Sequence, residues 1–349
     1  MTDLKRYGYT ETEAAPEGLL PARITAVHRG RYELITPLGP LYGQLKTGVY
    51  YGAGWESFPT AGDFILFRAV EGGDAQIVKT LPRKSQFIRR DPNPFAGDQI
   101  VAANADYVFI MSSLNHDFNV KRIERYLVLA RQSNALPVIV LTKADLANDF
   151  TEQLAAAKTI AGNTEVLPVS AVSGIGLENL SAYLRPGKTV VFLGMSGVGK
   201  SSLLNALMER GVMAVQEIRA DDSRGRHTTT HRELFMLPSG AMVIDTPGMR
   251  ALGMWNAEDG VSETFFDVEA LLGGCRFADC RHEAEPGCAV QEAIRSGALT
   301  AERWESYANL QREALYAVDR AAAMRKKQAR NKAIAKWSKH VKKNGGFKQ

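Results

Sequence analysis

The chain has 349 residues, of which 45% are hydrophobic and 23% are charged. These are ordinary values for a folded protein of two or three domains, and they exclude global disorder. No run approaches the roughly 18 consecutive apolar residues of a membrane-spanning helix. Residues 1–21 are polar and acidic and lack the apolar stretch of a secretory signal. We therefore expect a cytoplasmic protein without a membrane segment.

The net charge of +5 is unevenly distributed along the chain. Residues 320–349 hold eleven Lys and Arg and no Asp or Glu, so the other 319 residues carry a net charge of −6. A basic tail, which we assign to residues 321–349, on an acidic body predicts an anionic partner, most often a nucleic acid. A solvated helix end or a disordered tail has the same composition.

Short strands dominate the first part of the chain. After a predicted flexible leader (residues 1–20), apolar segments separated by Gly- or Pro-containing turns predict five strands over residues 21–82, at 23–27, 32–35, 41–45, 64–69 and 76–80. Five short strands indicate a small β-barrel. The oligonucleotide/oligosaccharide-binding (OB) fold is the best-known five-stranded example and our prediction, and an SH3-like barrel fits nearly as well.

The pattern changes after residues 82–96, which contain three prolines and four basic residues and predict a linker. From residue 97 to 260, apolar runs of strand length alternate with helical stretches. The predicted strands are 107–113, 137–142, 165–170, 189–194 and 241–245, and the helices include 120–133, 150–160 and 201–210. This alternation predicts an α/β domain with a mainly parallel sheet.

A phosphate loop follows the fourth of these strands. Residues 194–201 match G-x-x-x-x-G-K-[ST] at every fixed position, between a strand and a helix. Backbone N–H groups converge on the phosphates, Lys200 reaches the β- and γ-phosphates as a catalytic residue, and Ser201 ligates Mg²⁺. The predicted nucleotide contacts are Gly194, Met195, Ser196, Gly197, Val198, Gly199, Lys200, Ser201 and Ser202.

Two further segments predict that the base is guanine. The Thr-Lys-Ala-Asp sequence at 142–145 resembles the N/T-K-x-D signature, in which the carboxylate accepts from guanine N1–H and the exocyclic amine. Residues 170–171 resemble the loop whose backbone N–H contacts guanine O6. Thr142 stands where Asn is commoner, and we expect this exchange to weaken a contact to the phosphate loop. The predicted contacts are Thr142, Lys143, Ala144, Asp145, Ser170 and Ala171.

Two segments have the features of nucleotide-sensing switches. Residues 245–248, Asp-Thr-Pro-Gly, resemble the D-x-x-G motif, in which Asp245 holds Mg²⁺ through water and the Gly248 amide senses the γ-phosphate. Residues 224–230 are polar and threonine-rich, as expected of switch I, and an ordinary loop of that composition is the alternative. Thr229 is the predicted Mg²⁺ ligand, and Thr228 is the second choice.

The only cysteines form a cluster with one histidine, in the order Cys275-x4-Cys280-x-His282-x5-Cys288. Three thiolates and one imidazole make a closed tetrahedral set, which predicts one structural Zn²⁺ rather than a catalytic ion. The alternative is that His282 is an ordinary surface histidine. We assign residues 261–320 to a mainly helical zinc-binding domain, in which the metal organises a segment with little apolar core.

The motif order is unusual and points to a family. The two guanine motifs, called G4 and G5, precede the phosphate loop, called G1, and the two switch motifs, G2 and G3, follow it. Most GTPases have the phosphate loop first. The order G4-G5-G1-G2-G3 therefore predicts a circularly permuted GTPase domain over residues 97–260. With the barrel-like start and the cysteine spacing, residues 20 to about 316 resemble the small ribosomal subunit biogenesis GTPase RsgA (YjeQ) family. The resemblance implies ribosome-stimulated GTP hydrolysis on the small (30S) subunit during late maturation, with contacts to ribosomal RNA. We expect a monomer.

The residue after the D-x-x-G motif departs from the common GTPase pattern. Met249 follows the D-x-x-G motif, where a Gln commonly orients the attacking water, and Met cannot do so. The resemblance implies that a switch I histidine replaces it, and His227 occupies that position. A solvated loop histidine is the alternative.

Two functions therefore compete. The first is a ribosome-activated GTPase, which His227 favours. The second is a nucleotide-gated rRNA-binding factor in which GTP binding, not hydrolysis, is the signal, which Met249 favours. A P-loop small-molecule kinase is excluded because guanine motifs and a switch segment would have no purpose there.

Overall fold

The computed structural model describes residues 2–10, 15–89, 98–115, 117–209, 232–245 and 257–317. The chain divides into two compact units, one of residues 1–253 with 263–266 and one of residues 254–262 with 267–349. Among the helices within these described ranges, none is both long enough and apolar enough to cross a membrane.

The described residues form thirteen strands and eight α-helices. The strands are β1 (Leu20–His28), β2 (Arg31–Thr36), β3 (Gly39–Leu45), β4 (Phe64–Arg68), β5 (Ala75–Thr80), β6 (Gln86–Arg89), β7 (Gln99–Ala103), β8 (Tyr107–Ser113), β9 (Leu136–Thr142), β10 (Val166–Pro168), β11 (Thr189–Gly194), β12 (Arg232–Met236) and β13 (Met242–Asp245). The helices are α1 (Thr47–Tyr50), α2 (Val120–Gln132), α3 (Thr151–Ala161), α4 (Lys200–Leu207), α5 (Glu258–Thr264), α6 (Phe266–Leu272) and α7 (Ala289–Ser296), followed by α8 at residues 301–317.

Strands β1 to β5 form a closed barrel in the order β1-β2-β3-β5-β4, which the pairing of β4 with β1 completes. Its neighbouring strands are antiparallel except β3 and β5, which are parallel. Alternate side chains point into an apolar core that includes Ile24, Leu34, Ile65, Phe67 and Ile77. The predicted five-stranded barrel is confirmed.

Strands β8 to β13 form the α/β domain, in the order β10-β9-β8-β11-β13-β12. Every neighbouring pair is parallel except β12 with β13. The core includes Phe109, Val140, Phe192, Leu203 and Val243. The predicted α/β domain is confirmed. Strand β11, which precedes the phosphate loop, lies in the middle of the sheet. Three of the domain's five other strands, β8, β9 and β10, come before it in the chain, whereas the phosphate loop comes first in an unpermuted GTPase.

The barrel and the α/β domain share one continuous sheet of eleven strands. Strand β1 of the barrel pairs antiparallel with β12, with Ala26 opposite Glu233 and Val27 opposite Arg232. Strand β12 is not among the strands that the sequence pattern predicts. Its pairing with β1 means that the barrel covers what would otherwise be an edge of the α/β sheet.

Part of the predicted linker is ordered. Arg83 makes a 2.7 Å ion pair with Asp63 in which both side chains are largely buried. Strand β6 pairs with β7 in a separate two-stranded sheet. Residues 82–89 of the predicted linker are therefore ordered, because neighbouring segments bind their polar groups and pair with their strand. Residues 90–97 lie outside the described part, and the linker assignment stays a prediction.

The start of the chain also differs from the predicted flexible leader. Residues Leu4–Tyr7 form a short 3-10 helix, which Asp3 caps by accepting a 2.9 Å hydrogen bond from the Lys5 backbone N–H. The Leu4 side chain is buried, and the Tyr9 ring lies 5.3 Å from the Phe64 ring. Residues 2–10 therefore pack against the barrel rather than extend from it.

The second unit is helical, as predicted. Its α8 side chains bind acidic groups of α6: Asp267 accepts a 2.8 Å hydrogen bond from Arg303, and Glu269 accepts a 3.0 Å hydrogen bond from Tyr307. The cysteine cluster lies between α6 and α7 in the chain. The basic tail, residues 321–349, lies outside the described residues.

Candidate nucleotide site and metal centre

The phosphate loop, residues 194–201, joins the end of β11 to the start of α4. Gly197 and Gly199 have φ angles of 77° and 103°, in the left-handed region that favours glycine. At Gly194, a Cβ atom would lie 2.8 Å from the Met111 carbonyl oxygen of the neighbouring strand β8. The three glycines are therefore required by the backbone of the loop and by its close contact with β8.

Lys200 is the first residue of α4, and its side chain turns back over the loop. Its Nζ atom donates hydrogen bonds to the carbonyl oxygens of Gly194 (2.8 Å) and Met195 (2.6 Å). Ser201 and Ser202 are half-buried in the same helical turn. The ammonium group and the N–H groups of this turn together favour an anion at the loop.

Thr142 connects the first guanine motif to the phosphate loop. The buried Thr142 hydroxyl donates a 2.6 Å hydrogen bond to the Val198 carbonyl oxygen. A second acceptor, the Ser112 carbonyl oxygen, is 3.4 Å from the same hydroxyl. The end of β9 therefore approaches the loop closely enough for a short hydroxyl side chain to make this contact. That Thr in place of Asn weakens the contact stays a prediction.

The two guanine motifs lie side by side. The Ala144 N–H donates a 3.1 Å hydrogen bond to the Val169 carbonyl, just before the second motif. The buried Ser170 hydroxyl donates a 2.6 Å hydrogen bond to Asp145 Oδ1 and accepts from the Val172 N–H at 3.2 Å. The exposed Asp145 carboxylate is thereby oriented by the second motif.

Lys143 and Ala171 complete these two motifs. Lys143 has a φ angle of 61°, an uncommon conformation for a residue other than glycine. Its side chain is half-exposed, as is Ala171. The left-handed turn at Lys143 redirects the chain after β9 and lets the Asp145 side chain reach Ser170.

Asp245 reaches the same edge of the sheet. It ends β13, which runs parallel to β11, and it is 8% exposed. Because parallel strands end at a common edge, Asp245 lies beside the phosphate loop. The carboxyl ends of the strands are the edge at which open α/β sheets bind their ligands. His227, Thr228, Thr229, Gly248 and Met249 lie outside the described residues.

The cysteine cluster brings four potential metal ligands together. The donor atoms of Cys275, Cys280, His282 and Cys288 all lie within 4.8 Å of one another. The Cys275 and Cys288 sulfur atoms are 4.0 Å apart, and His282 Nδ1 is 3.4 Å and 3.5 Å from them. A tetrahedral Zn²⁺ with its usual bond lengths separates two sulfurs by about 3.8 Å and a sulfur from a nitrogen by about 3.6 Å. The donor set fits such an ion.

Several groups hold these donors in place. Gln291 Nε2 donates a 2.7 Å hydrogen bond to the His282 carbonyl oxygen, and Cys288 caps the N-terminus of α7. The Trp304 ring lies edge-on to the His282 ring at 5.4 Å. Hydrogen bonds from backbone N–H groups, beginning with that of Arg281, lower the pKa of Glu285 to about 2 and fix the loop between the ligands.

Sequence reasoning missed two of these supporting side chains. Ser170 was assigned to the site through its backbone, whereas its hydroxyl holds Asp145. Gln291 was not singled out, although a Gln three residues after a helix-capping ligand is placed to reach back toward the preceding loop. Neither assignment follows from residue spacing alone, because each depends on two loops meeting in space.

A model of the RsgA GTPase family matches residues 80–255 of the chain. The small ribosomal subunit biogenesis GTPase RsgA 1 of Listeria innocua is 44% identical over 316 residues, which cover 90% of this chain and 90% of that protein. The small ribosomal subunit biogenesis GTPase RsgA of Streptomyces coelicolor is 42% identical over 358 residues, which cover 98% of this chain and 96% of that protein.

Two solved structures also match this chain over most of its length. The crystal structure of YjeQ from Thermotoga maritima has a TM-score of 0.60 and 26% identity, and covers 85% of this chain and 99% of its own. The crystal structure of YloQ, a circularly permuted GTPase, has a TM-score of 0.58 and covers 85% of this chain and 96% of its own. At 23% identity, the second likeness concerns the fold alone.

Proposed function

Because the chain belongs to the RsgA GTPase family, we propose that it is a circularly permuted GTPase that hydrolyses GTP to GDP and phosphate on the small (30S) ribosomal subunit during late maturation of that subunit. The observation that carries the proposal is the 2.6 Å hydrogen bond between Thr142 and Val198, which joins a guanine motif to a phosphate loop in one site. The protein acts in the cytoplasm as a monomer and contacts ribosomal RNA through its barrel, an OB fold, and its basic tail.

The nucleotide occupies the edge of the sheet where the motifs meet. Residues 194–202 bind the phosphates, Lys200 reaches the β- and γ-phosphates, and residues 142–145 with 170–171 bind guanine. Mg²⁺ accompanies GTP and GDP and takes Ser201 as a ligand, with Asp245 acting through water. The arrangement of Lys200 over the loop and of Asp245 beside it supports these roles.

The switch residues complete this site in the GTP form. Thr229, or else Thr228, ligates Mg²⁺, and the Gly248 amide contacts the γ-phosphate. Because Met249 cannot orient water, intrinsic hydrolysis is slow, about 10⁻³–10⁻⁴ s⁻¹ as in unassisted small GTPases. His227 is the catalytic residue that orients the attacking water when the small subunit is bound.

The four clustered donors hold one structural Zn²⁺. Cys275, Cys280, His282 and Cys288 supply a closed set of ligands, which leaves no position for a substrate. The ion stabilises the loops between α6 and α7 and, with them, a surface for the ribosome. The near-tetrahedral spacing of the donor atoms supports this assignment.

Single-turnover hydrolysis of radiolabelled GTP tests the activity. We expect small subunits to raise the rate at least about a hundredfold, toward the range of an activated GTPase, and large subunits to leave it unchanged. His227→Ala should lower the stimulated rate and leave GDP affinity intact. Equal rates with small subunits, large subunits and buffer would contradict the proposed function.

A nucleotide-gated rRNA-binding factor is the second candidate, and Met249 favours it. In that case GTP binding alone is the signal, and His227→Ala would support a full cycle of binding and release. The two candidate functions are separated by measuring release of the protein from small subunits after GTP addition. The measurement compares the unchanged chain with His227→Ala. Release that requires hydrolysis supports the enzyme.

A further inference from the structure

A buried arginine joins the barrel to the α/β domain. Arg23 lies in the middle of β1, the strand that pairs with β2 and β4 inside the barrel and with β12 of the α/β sheet. Its side chain is one of the largest that the fold buries, at 1% exposure. An ionised side chain at such a position is costly unless its hydrogen-bond donors are satisfied.

On the barrel side, the guanidinium of Arg23 contacts three segments. Its Nε atom donates a 3.2 Å hydrogen bond to the Gly62 carbonyl, and Nη1 donates to the Tyr7 carbonyl of the N-terminal segment. The Phe64 ring lies 4.8 Å from the guanidinium carbon. These groups fix Arg23 relative to the barrel.

On the α/β side, the same guanidinium reaches the starts of two central strands. Its Nη2 atom donates hydrogen bonds to the Thr189 hydroxyl (3.0 Å) and to the Asn104 carbonyl (3.4 Å). Its Nη1 atom lies 3.1 Å from the Met242 sulfur. Thr189 begins β11, which ends in the phosphate loop, and Met242 begins β13, which ends at Asp245.

Because Arg23 is charged and buried, the junction is stable only while the guanidinium keeps its hydrogen-bond acceptors. Burial lowers the pKa of Arg23 to about 10, and Asp106 and Asp63 oppose the shift, so the side chain stays charged at neutral pH. Its direct acceptors come from both sides of the junction. A change in the placement of the barrel therefore either moves β11 and β13 or leaves a buried donor unpaired.

Close packing beside Arg23 limits independent movement further. At Gly62, with a φ angle of 91°, a Cβ atom would lie 2.2 Å from the Ala103 carbonyl oxygen and 2.7 Å from Ile244 Cδ1. Ile244 directly precedes Asp245 in β13. Arg23 itself is remote from the nucleotide, since the length of β11 places about 17 Å between Thr189 and the phosphate loop.

We propose that Arg23 is a positioning residue through which small-subunit contacts of the barrel stimulate GTP hydrolysis, because it fixes the barrel to the two strands that carry the phosphate loop and Asp245. The inference rests on the proposed function, since it concerns the stimulated reaction. Arg23 contributes to stimulation and not to nucleotide binding.

The experiment compares two junction variants with two controls in the full chain. Arg23→Met removes the guanidinium, and Thr189→Val removes one acceptor while keeping the shape of the side chain. Thr189→Ser keeps that hydroxyl. Thr36→Val is the control for lost stability, because the buried Thr36 hydroxyl donates a 2.8 Å hydrogen bond to the Gly39 carbonyl within the barrel and does not reach the junction.

For each variant, the single-turnover rate is measured against small-subunit concentration, with GDP affinity and basal hydrolysis measured alongside. We expect Arg23→Met to lower the maximal stimulated rate by at least about tenfold and Thr189→Val by about threefold. The basal rate, GDP affinity and the subunit concentration of half-stimulation should stay within about twofold, and Thr189→Ser and Thr36→Val should match the unchanged chain.

Normal stimulation of a folded Arg23→Met protein, or an equal loss in Thr36→Val, would overturn the inference. If Arg23→Met does not fold, Thr189→Val against Thr189→Ser decides, and equal maximal rates in this pair also overturn it. Absence of stimulation in the unchanged chain contradicts the proposed function itself and the inference with it. The two failures are therefore distinguishable.

Discussion

The Thr142 hydroxyl donates a 2.6 Å hydrogen bond to the Val198 carbonyl oxygen, across 56 positions of the chain. Thr142 ends β9 and Val198 lies in the phosphate loop, so the bond connects the part of the site proposed to recognise the base to the part proposed to bind the phosphates. Because the contact depends on the folded arrangement of the two segments, it does not depend on which motif comes first in the chain. Circular permutation therefore leaves the site intact.

Thr142→Val should weaken GDP and GTP binding alike. Valine has the shape of threonine but leaves the Val198 carbonyl without its donor, which costs about 1–3 kcal/mol in a buried site. We expect a loss of about tenfold in affinity for both nucleotides. Titration with a fluorescent GDP analogue measures it, and Thr142→Ser, which keeps the hydroxyl, is the matched control. Unchanged affinity of Thr142→Val would show that the loop keeps its shape without this bond.

Base specificity should depend on Asp145. We expect GTP and GDP to bind far more tightly than ATP, and Asp145→Asn to shift the preference toward xanthine nucleotides, because an amide presents a donor where the carboxylate presents an acceptor. Competition of unlabelled nucleotides against labelled GDP measures both. Equal competition by ATP contradicts the guanine assignment.

Ser170→Ala tests the support of that carboxylate. Loss of the 2.6 Å hydrogen bond to Asp145 should weaken GDP binding by about 1–2 kcal/mol, because the carboxylate is no longer oriented toward the base. Ser181→Ala is the control, since the Ser181 hydroxyl donates to the Glu178 carbonyl away from the two motifs. The same competition assay should show reduced discrimination against ATP for Ser170→Ala alone.

Much of the fold could be predicted because its signals are local. The barrel strands and the parallel strands are apolar runs, and the phosphate loop is a contiguous motif, so periodicity and spacing were sufficient. Strand β12 was missed because its five residues, Arg-Glu-Leu-Phe-Met, have no such run. It forms a strand by pairing with β1, more than 200 positions away in the chain, and local sequence does not indicate such a distant partner.

The junction could not be predicted for a different reason. Arg23 lies in a mainly apolar strand, and local sequence gives no sign of its acceptors, which come from Tyr7, Gly62, Asn104 and Thr189. The ordered start of the chain and residues 82–89 depend on that same neighbourhood. Their polar composition predicts exposed segments, and only the assembled barrel and α/β domain provide partners for them.

The purified protein should contain about one zinc per chain. Cys280→Ala should release the metal and lower the unfolding temperature of the C-terminal region while leaving GDP affinity intact, because the ligands and the nucleotide site belong to different compact units. Metal analysis, thermal unfolding and GDP titration check the three parts.

Gln291→Ala is the control for the zinc prediction. It removes the 2.7 Å hydrogen bond to the His282 carbonyl and keeps all four ligands, so it should retain zinc but lose it to a chelator faster than the unchanged chain. Freshly prepared protein without zinc, purified without chelators, would contradict the structural metal.

The GTP form should bind small subunits more tightly than the GDP form. In the chain, residues 246–257 separate Asp245 from α5, so the segment proposed to sense the γ-phosphate leads directly to the helical unit. We expect a difference of about 1.4 kcal/mol, or tenfold in affinity. Sedimentation with small subunits, using a non-hydrolysable GTP analogue and GDP in parallel, measures it. Indistinguishable binding in the two states excludes this coupling.

Removal of residues 325–349 should weaken small-subunit binding in both nucleotide states and leave their ratio unchanged. This segment carries ten Lys and Arg and no acidic residue, so we expect it to contribute phosphate contacts that do not sense the nucleotide. The truncated chain should also show a shallower dependence of binding on salt concentration. A chain with the same 25 residues in scrambled order is the matched control, and it should bind like the unchanged protein because counterion release depends on charge rather than sequence. A truncation that abolished only the nucleotide dependence would place the sensor in the tail instead of at Asp245.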